Sequence, residues 1–144
     1  MTDSGRTAGM TAADYRVREP FATRWSDNDQ YGHLNNTVYY LAMDTAVNTW
    51  MMREGGLDPR GDVIALCAAS ACDFHASAAF PERLDVGIGV ARLGSTSITW
   101  NLGILRGDSL IASGRFVHVF VDEQTRRPVA IPATIRAAVA SQVI

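Results

Sequence analysis

Between Arg24 and Asn36 the chain reads RWSDNDQYGHLNN, and those thirteen residues hold two aspartates, a histidine, a glycine and three asparagines. Three chemistries could use such a stretch. A calcium loop begins D-x-D-x-x-G, but it needs an oxygen donor at its fifth position and a glutamate at its twelfth. Counted from Asp27, those positions hold Tyr31 and Val38, so the calcium reading fails. A plain turn would use Asp27 and Asn28 as turn formers, Gly32 for a special backbone angle, and Asn35 or Asn36 as a helix cap. That leaves Asp29, Tyr31 and His33 without a purpose. The third chemistry is acyl transfer. A helix that starts here has unpaired N–H groups and partial positive charge in its first turn, which can polarise a carbonyl. A carboxylate a few residues earlier could attack that carbonyl or activate a water against it.

The flanking elements decide whether such a site can be built. Residues 15–25 can form a strand, with Pro20 marking an edge or a bend. Asn36 or Thr37 can cap a helix that runs to about Glu54, and Gly55-Gly56 can end it. This helix, NTVYYLAMDTAVNTWMMRE, carries a single charge, Asp44, before Arg53. A helix apolar on nearly every side is a buried helix, and a lone buried carboxylate is costly unless it is bonded. Asp44 is therefore expected to reach the site, a partner or the interface, either held by hydrogen bonds to the loop before the helix or facing the pocket. The rest of the chain is strand-like. Residues 63–75 form an apolar run, residues 84–92 and 96–106 alternate, Gly107-Asp108 makes a turn, and residues 110–122 are apolar on both faces, as a central strand is. A short helix is expected from Pro132. The predicted fold is α+β, with one long buried helix and about five mostly antiparallel strands. One sheet covers such a helix only by curling around it, and the remaining apolar surface calls for a second subunit.

The chain has 144 residues and a formal net charge of −2. That suits one domain and supplies no overall basic field for nucleic acid. All thirteen basic residues are arginine. No apolar run is long enough to span a bilayer. The first fourteen residues are small and polar, without a signal-peptide core, and are expected to be a flexible tail ahead of a single domain over 15–144. Cys67 and Cys72 are read as small buried hydrophobes in a reducing compartment. The expected location is the cytoplasm. His75 and His118 fall on strands and are read as packed or exposed imidazoles.

Arg24-Trp25-x-Asp27-x-Asp29-x-x-Gly32-His33-x-Asn35-Asn36-x-x-Tyr39 resembles the signature of the 4-hydroxybenzoyl-CoA thioesterase family, and the resemblance extends over roughly residues 15–132. Two later segments match in pattern, Phe80-Pro81-Glu82-Arg83-Leu84 as the turn into the third strand and Asp122 to Pro132 as the closing segment. The resemblance implies a hotdog fold, in which a curved antiparallel sheet wraps one central helix, and it implies hydrolysis of an acyl-CoA thioester. By resemblance Asp29 is the catalytic nucleophile or general base. The polarising amide falls at about Asn36, Gly32 and His33 match the motif's GH, and Asp44 matches an acidic position in the helix. Tyr31, Asn35 and Tyr39 are candidates for substrate contact. Arg92, Gly94, Ser95 and Thr96 are the best match for part of the coenzyme A surface. The family implies no metal and no organic cofactor. Burial and charge give the further expectation of a homodimer or homotetramer that binds neither nucleic acid nor membrane. Two alternatives within the fold remain. One is a non-catalytic acyl-CoA-binding protein. The other is a hydratase, which pairs Asp and His five residues apart, whereas here the separations are four from Asp29 and six from Asp27.

Overall fold

The computed structural model describes residues 10–144, so much of the expected N-terminal tail lies outside the described residues. Five strands form one antiparallel sheet: β1 (Val17–Ala22), β2 (Val63–Phe74), β3 (Arg83–Leu93), β4 (Ser97–Arg106) and β5 (Ser109–Asp122). Their order across the sheet is β1-β3-β4-β5-β2. A 20-residue helix, α1 (Asn36–Gly55), packs on one face, and a short helix, α2 (Ala133–Ala140), follows the sheet. A curved sheet with one long helix laid against it is the expected hotdog arrangement. The alternation that defines β4 sends Ile98, Trp100, Leu102 and Ile104 towards α1, and all four are fully buried against Met43, Val47, Trp50 and Met51 of the helix. Strand β5 lies between β4 and β2, as its two apolar faces require.

The ends of α1 follow from its sequence. Asn35 is the cap, and its side-chain oxygen accepts the Thr37 N–H at 3.0 Å. Gly56 closes the helix in the left-handed region at φ 69°, where glycine meets no Cβ penalty. The sheet does not cover the whole helix. Thr37, Leu41, Asp44, Thr45 and Met52 form an exposed stripe along it. Asp44 is therefore not buried, and its carboxylate accepts from Asn48 Nδ2 at 3.2 Å, one turn on, rather than from the loop before the helix.

Strand β2 also departs from expectation. It is an edge strand, and residues 66–71 are all exposed. Cys67 lies in that run as an exposed free thiol, and Cys72 is half-buried. A run of small apolar residues reads as core, but among the described residues no strand pairs with the outer edge of this one. On the face of the sheet away from α1, the first described residues are packed. Ala12 and Tyr15 are buried with Leu105, and Tyr15 lies over Gly87 and Gly103, where no side chain intervenes. The C-terminal residues pair in parallel with β3 beyond the end of β1, through Val90 N–H to Gln142 O at 2.8 Å and Ile144 N–H to Val90 O at 2.9 Å. Among the described residues no helix is long and apolar enough to cross a membrane.

Candidate active site

The polar stretch folds into a short 3-10 turn (Trp25–Asp27) and a tight loop that leads into α1. Asp27 is its structural anchor. It is 2% exposed, pairs with the Arg24 guanidinium at 2.8 Å and accepts the Arg24 main-chain N–H at 2.7 Å. A bridge between Asn28 and Leu34 closes the loop. Inside it, Asp29 N–H donates to His33 O at 2.9 Å and Gly32 N–H to Asp29 O at 3.0 Å. Gly32 takes φ 80°, the conformation that the turn demands of its last residue. Asp29 sits at the first position of this turn, with Oδ1 accepting the Tyr31 N–H at 2.9 Å. Among the described residues its second oxygen has no hydrogen bond.

The loop is tied to the segment after β2. Leu34 N–H donates to Ala78 O at 2.8 Å, and Asn28 Oδ1 accepts the Phe80 N–H at 2.9 Å. One turn into α1, the buried Tyr39 ring meets Phe74 edge-on, 5.1 Å between centroids. Burial pushes the Tyr39 hydroxyl's pKa up, so it stays protonated. Between the loop, the first turn of α1 and residues 74–77 lies an open cavity of about 840 Å³. Its wall includes Asp29, Tyr31, His33, Asn35, Asn36 and Tyr39. Gly32 contributes the loop's backbone angle.

At the helix start Asn35 uses its side chain on Thr37 and its carbonyl on Val38. The Asn36 N–H makes neither bond and has no intrahelical acceptor, as a first-turn amide does not. The cavity therefore holds a carboxylate and a free amide at a helix N-terminus, the pair needed to drive a nucleophile onto a carbonyl and to receive the charge that develops on its oxygen.

Arg92, Gly94, Ser95 and Thr96 do not reach this cavity within one chain. Arg92 lies at the end of β3 and the other three form the β3–β4 turn, about seven residues up β5 from the site end of the sheet, or roughly 23 Å at strand rise. Main-chain bonds engage two of them there, the Phe120 N–H donating to Thr96 O at 2.8 Å and the Ile131 N–H donating to Ser95 O at 3.0 Å. Conversely, Phe74 and Ser77 line the cavity and were not singled out from the sequence, and His75, read there as a packed or exposed imidazole, lines it too. The only local signal for them was a polar DFHAS at the end of an apolar run. Among the described residues no cluster of three or more His, Cys, Asp or Glu side chains could hold a metal.

The profile of the thioesterase-like superfamily matches residues 23–139. A comparison with curated proteins finds no match. Among solved structures, the PA5185 protein from Pseudomonas aeruginosa strain PAO1 is 46% identical with a TM-score of 0.90, the match covering 92% of this chain and 95% of that one. A 1,4-dihydroxy-2-naphthoyl-CoA thioesterase from Synechocystis is 18% identical with a TM-score of 0.76, over 85% of this chain and 94% of that one. The SAV2348 protein from Staphylococcus aureus, solved in complex with CoA, is 13% identical with a TM-score of 0.79, over 87% and 82%. At such identities the last two speak to the fold alone.

Proposed function

The chain belongs to the thioesterase-like superfamily, and from that premise we propose that it hydrolyses an acyl-CoA thioester to the free acid and coenzyme A, as a member of the 4-hydroxybenzoyl-CoA thioesterase branch. One observation carries this reading. The Asp29 carboxylate and the unpaired Asn36 amide border the same cavity. Asp29 either adds to the thioester carbonyl carbon itself or takes a proton from a water that does so. The carbonyl oxygen, becoming an oxyanion, is held at the helix start. When the C–S bond breaks, its electron pair stays on sulfur, which leaves as thiolate and takes up a proton; where Asp29 itself was the nucleophile, water then cleaves the acyl–aspartyl anhydride, releasing the acid and restoring the carboxylate. Tyr31, His33, Asn35 and Tyr39 surround the acyl group. The folds solved for a naphthoyl-CoA thioesterase and for a CoA complex are in keeping with a CoA thioester as substrate.

The site is completed by a second copy. Among the described residues strand β2 has an unpaired outer edge of small residues, Ala68 to Ala71. Such an edge is a template for another strand. Two β2 edges paired antiparallel about a two-fold axis would bring the partner's β3–β4 turn to the same end of the joined sheet as the Asp29 loop. In that assembly Arg92, Gly94, Ser95 and Thr96 can serve the neighbouring site for coenzyme A.

The Asp29–Tyr31 bond favours a rival reading, an acyl-CoA binder in which Asp29 only shapes the turn. The substitution Asp29→Asn separates the two, because asparagine keeps the acceptor for Tyr31 N–H while losing the charge. Thiol release from a panel of short, aryl and long acyl-CoAs is expected to fall by ~10²-fold or more, the size of a lost acid–base group, with the melting temperature nearly unchanged. A variant within a few-fold of wild type would remove Asp29 from the chemistry, and no thiol from any acyl-CoA would favour the binder.

A further inference from the structure

The loop that carries Asp29 hangs from one neighbouring segment by both of its feet. Asn28, just before Asp29, accepts the Phe80 N–H on its Oδ1 at 2.9 Å. Leu34, just before the helix cap Asn35, donates its N–H to Ala78 O at 2.8 Å. The two feet also bridge to each other. Ala78 and Phe80 are two residues apart, so the shape of this short segment sets how the Asp29 end of the loop stands to the helix end.

A part-exposed ion pair holds that segment. Arg106 Nε donates to Glu82 Oε1 at 2.8 Å, and Arg106 Nη2 donates to Ser77 O at 2.7 Å. Glu82 Oε2 accepts the Ala79 N–H at 2.7 Å. Ala78 is thus bracketed, with the carbonyl before it held by Arg106 and the N–H after it held by Glu82. Both partners are rooted. Arg106 is the last residue of β4, and the Glu82 carbonyl accepts from the Thr23 hydroxyl just past β1. Neither side chain is among the described residues that wall the cavity. Both are near enough to the Tyr39 hydroxyl to act on its pKa, which burial chiefly raises, Arg106 drawing it down and Glu82 pushing it up. An ion pair this open to water adds little to stability, yet this one fixes the main chain on either side of Ala78.

We propose that Glu82 and Arg106 are positioning residues for the reaction, which act as a pair to fix Ala78 and through it the spacing between the Asp29 carboxylate and the first turn of α1. A misplacement of about 1 Å in reacting groups costs up to ~10²-fold in rate, and Asp29 and Asn36 both take their places from this segment. The inference rests on the thioesterase reading above.

Glutamine at either position tests it. Glu82→Gln leaves one carbonyl oxygen where two carboxylate oxygens served Ala79 and Arg106. Arg106→Gln removes the charge together with the guanidinium that spans Glu82 and Ser77 O. With the best acyl-CoA of the panel, each variant is expected to lose about 10-fold in kcat, with KM changed only a few-fold and the melting temperature close to wild type. The double variant is expected to lose no more than the worse single, since two partners in one device fail together. A pair that serves stability alone would lower the melting temperature and leave kcat per folded chain unchanged. Values of kcat within twofold of wild type in both single variants, or losses that multiply in the double, overturn the inference. Should a glutamine variant fail to fold, Arg106→Lys takes its place, because an ammonium keeps the charge beside Glu82 but lacks the fork that reaches Ser77 O as well. A several-fold loss of kcat in Arg106→Lys supports the inference, and kcat within twofold or a second failure to fold overturns it. If wild type turns over, Asp29→Asn does not, and both glutamine variants do, this inference alone fails. If wild type releases no thiol, the reading beneath it fails and this inference with it.

Discussion

On the proposed mechanism Asp29 would serve two ends with one side chain. Oδ1 holds the turn through Tyr31, which fixes where the carboxylate sits, and the other oxygen would be left for the proposed chemistry. Local side-chain-to-backbone bonds of this kind are what make aspartate a turn former, so the same residue satisfies a structural and a catalytic reading, and sequence cannot separate them. His118 presents a cleaner case. It is 1% exposed, and Trp100 Nε1–H donates to its Nδ1 at 2.8 Å. A nitrogen that accepts a hydrogen bond cannot also bind a proton. Burial lowers the pKa of His118 below its ordinary 6.5, with Asp44 opposing in part. The unfolded chain therefore binds a proton that the folded chain refuses. Stability is full above about pH 6.5 and falls as the pH drops through that value, by at most about 1.4 kcal/mol per pH unit. Denaturation curves between pH 5 and 8 should show this slope in wild type and a shallower one in His118→Asn. Parallel curves would remove His118 as the cause.

At the scale of elements, the face of the sheet away from α1 is built to take the chain's own early residues. A Cβ on Gly87 would lie 2.5 Å from Tyr15 Cγ and 2.8 Å from Tyr15 Cβ. Those atoms are close to the backbone, so the ring cannot swing clear and the segment must lift. Overpacking of this sort costs about 1–3 kcal/mol. Gly87→Ala is expected to lower the melting temperature and to speed tryptic cleavage after Arg16, and unchanged values of both would contradict the packing. The same packing marks a boundary of what the sequence discloses. Alternation over 84–92 and 96–106 identified β3 and β4, and the Asn-rich entry and Gly55-Gly56 bracketed α1 within a residue or so, because these signals are local. Which side of α1 the sheet would leave bare is not local, and neither is the edge position of β2, so Asp44 and Cys67 were expected inside and lie outside. His75 was read as a packed or exposed imidazole and not as part of the cavity for the same reason. Nothing in DFHAS announces that the segment will run beside Leu34 and Tyr39, which lie about forty residues earlier in the chain.

For the whole molecule, the open β2 edge is where a second chain would pair. A homodimer at least is expected, so light scattering at micromolar concentration should give a mass of twice 15.6 kDa or more, and a mass near 15.6 kDa would contradict it. The unpaired edge then sets the kinetic order of the reaction in protein. If the partner's β3–β4 turn helps hold coenzyme A, a lone chain has half a site, and mass action governs how many whole ones exist. Plots of rate against enzyme concentration would curve upward at the dilute end, and specific activity would fall on dilution and recover on concentration. The quantity fixed for this protein would be turnover per assembled pair, with turnover per chain varying according to how crowded the solution is with its own kind.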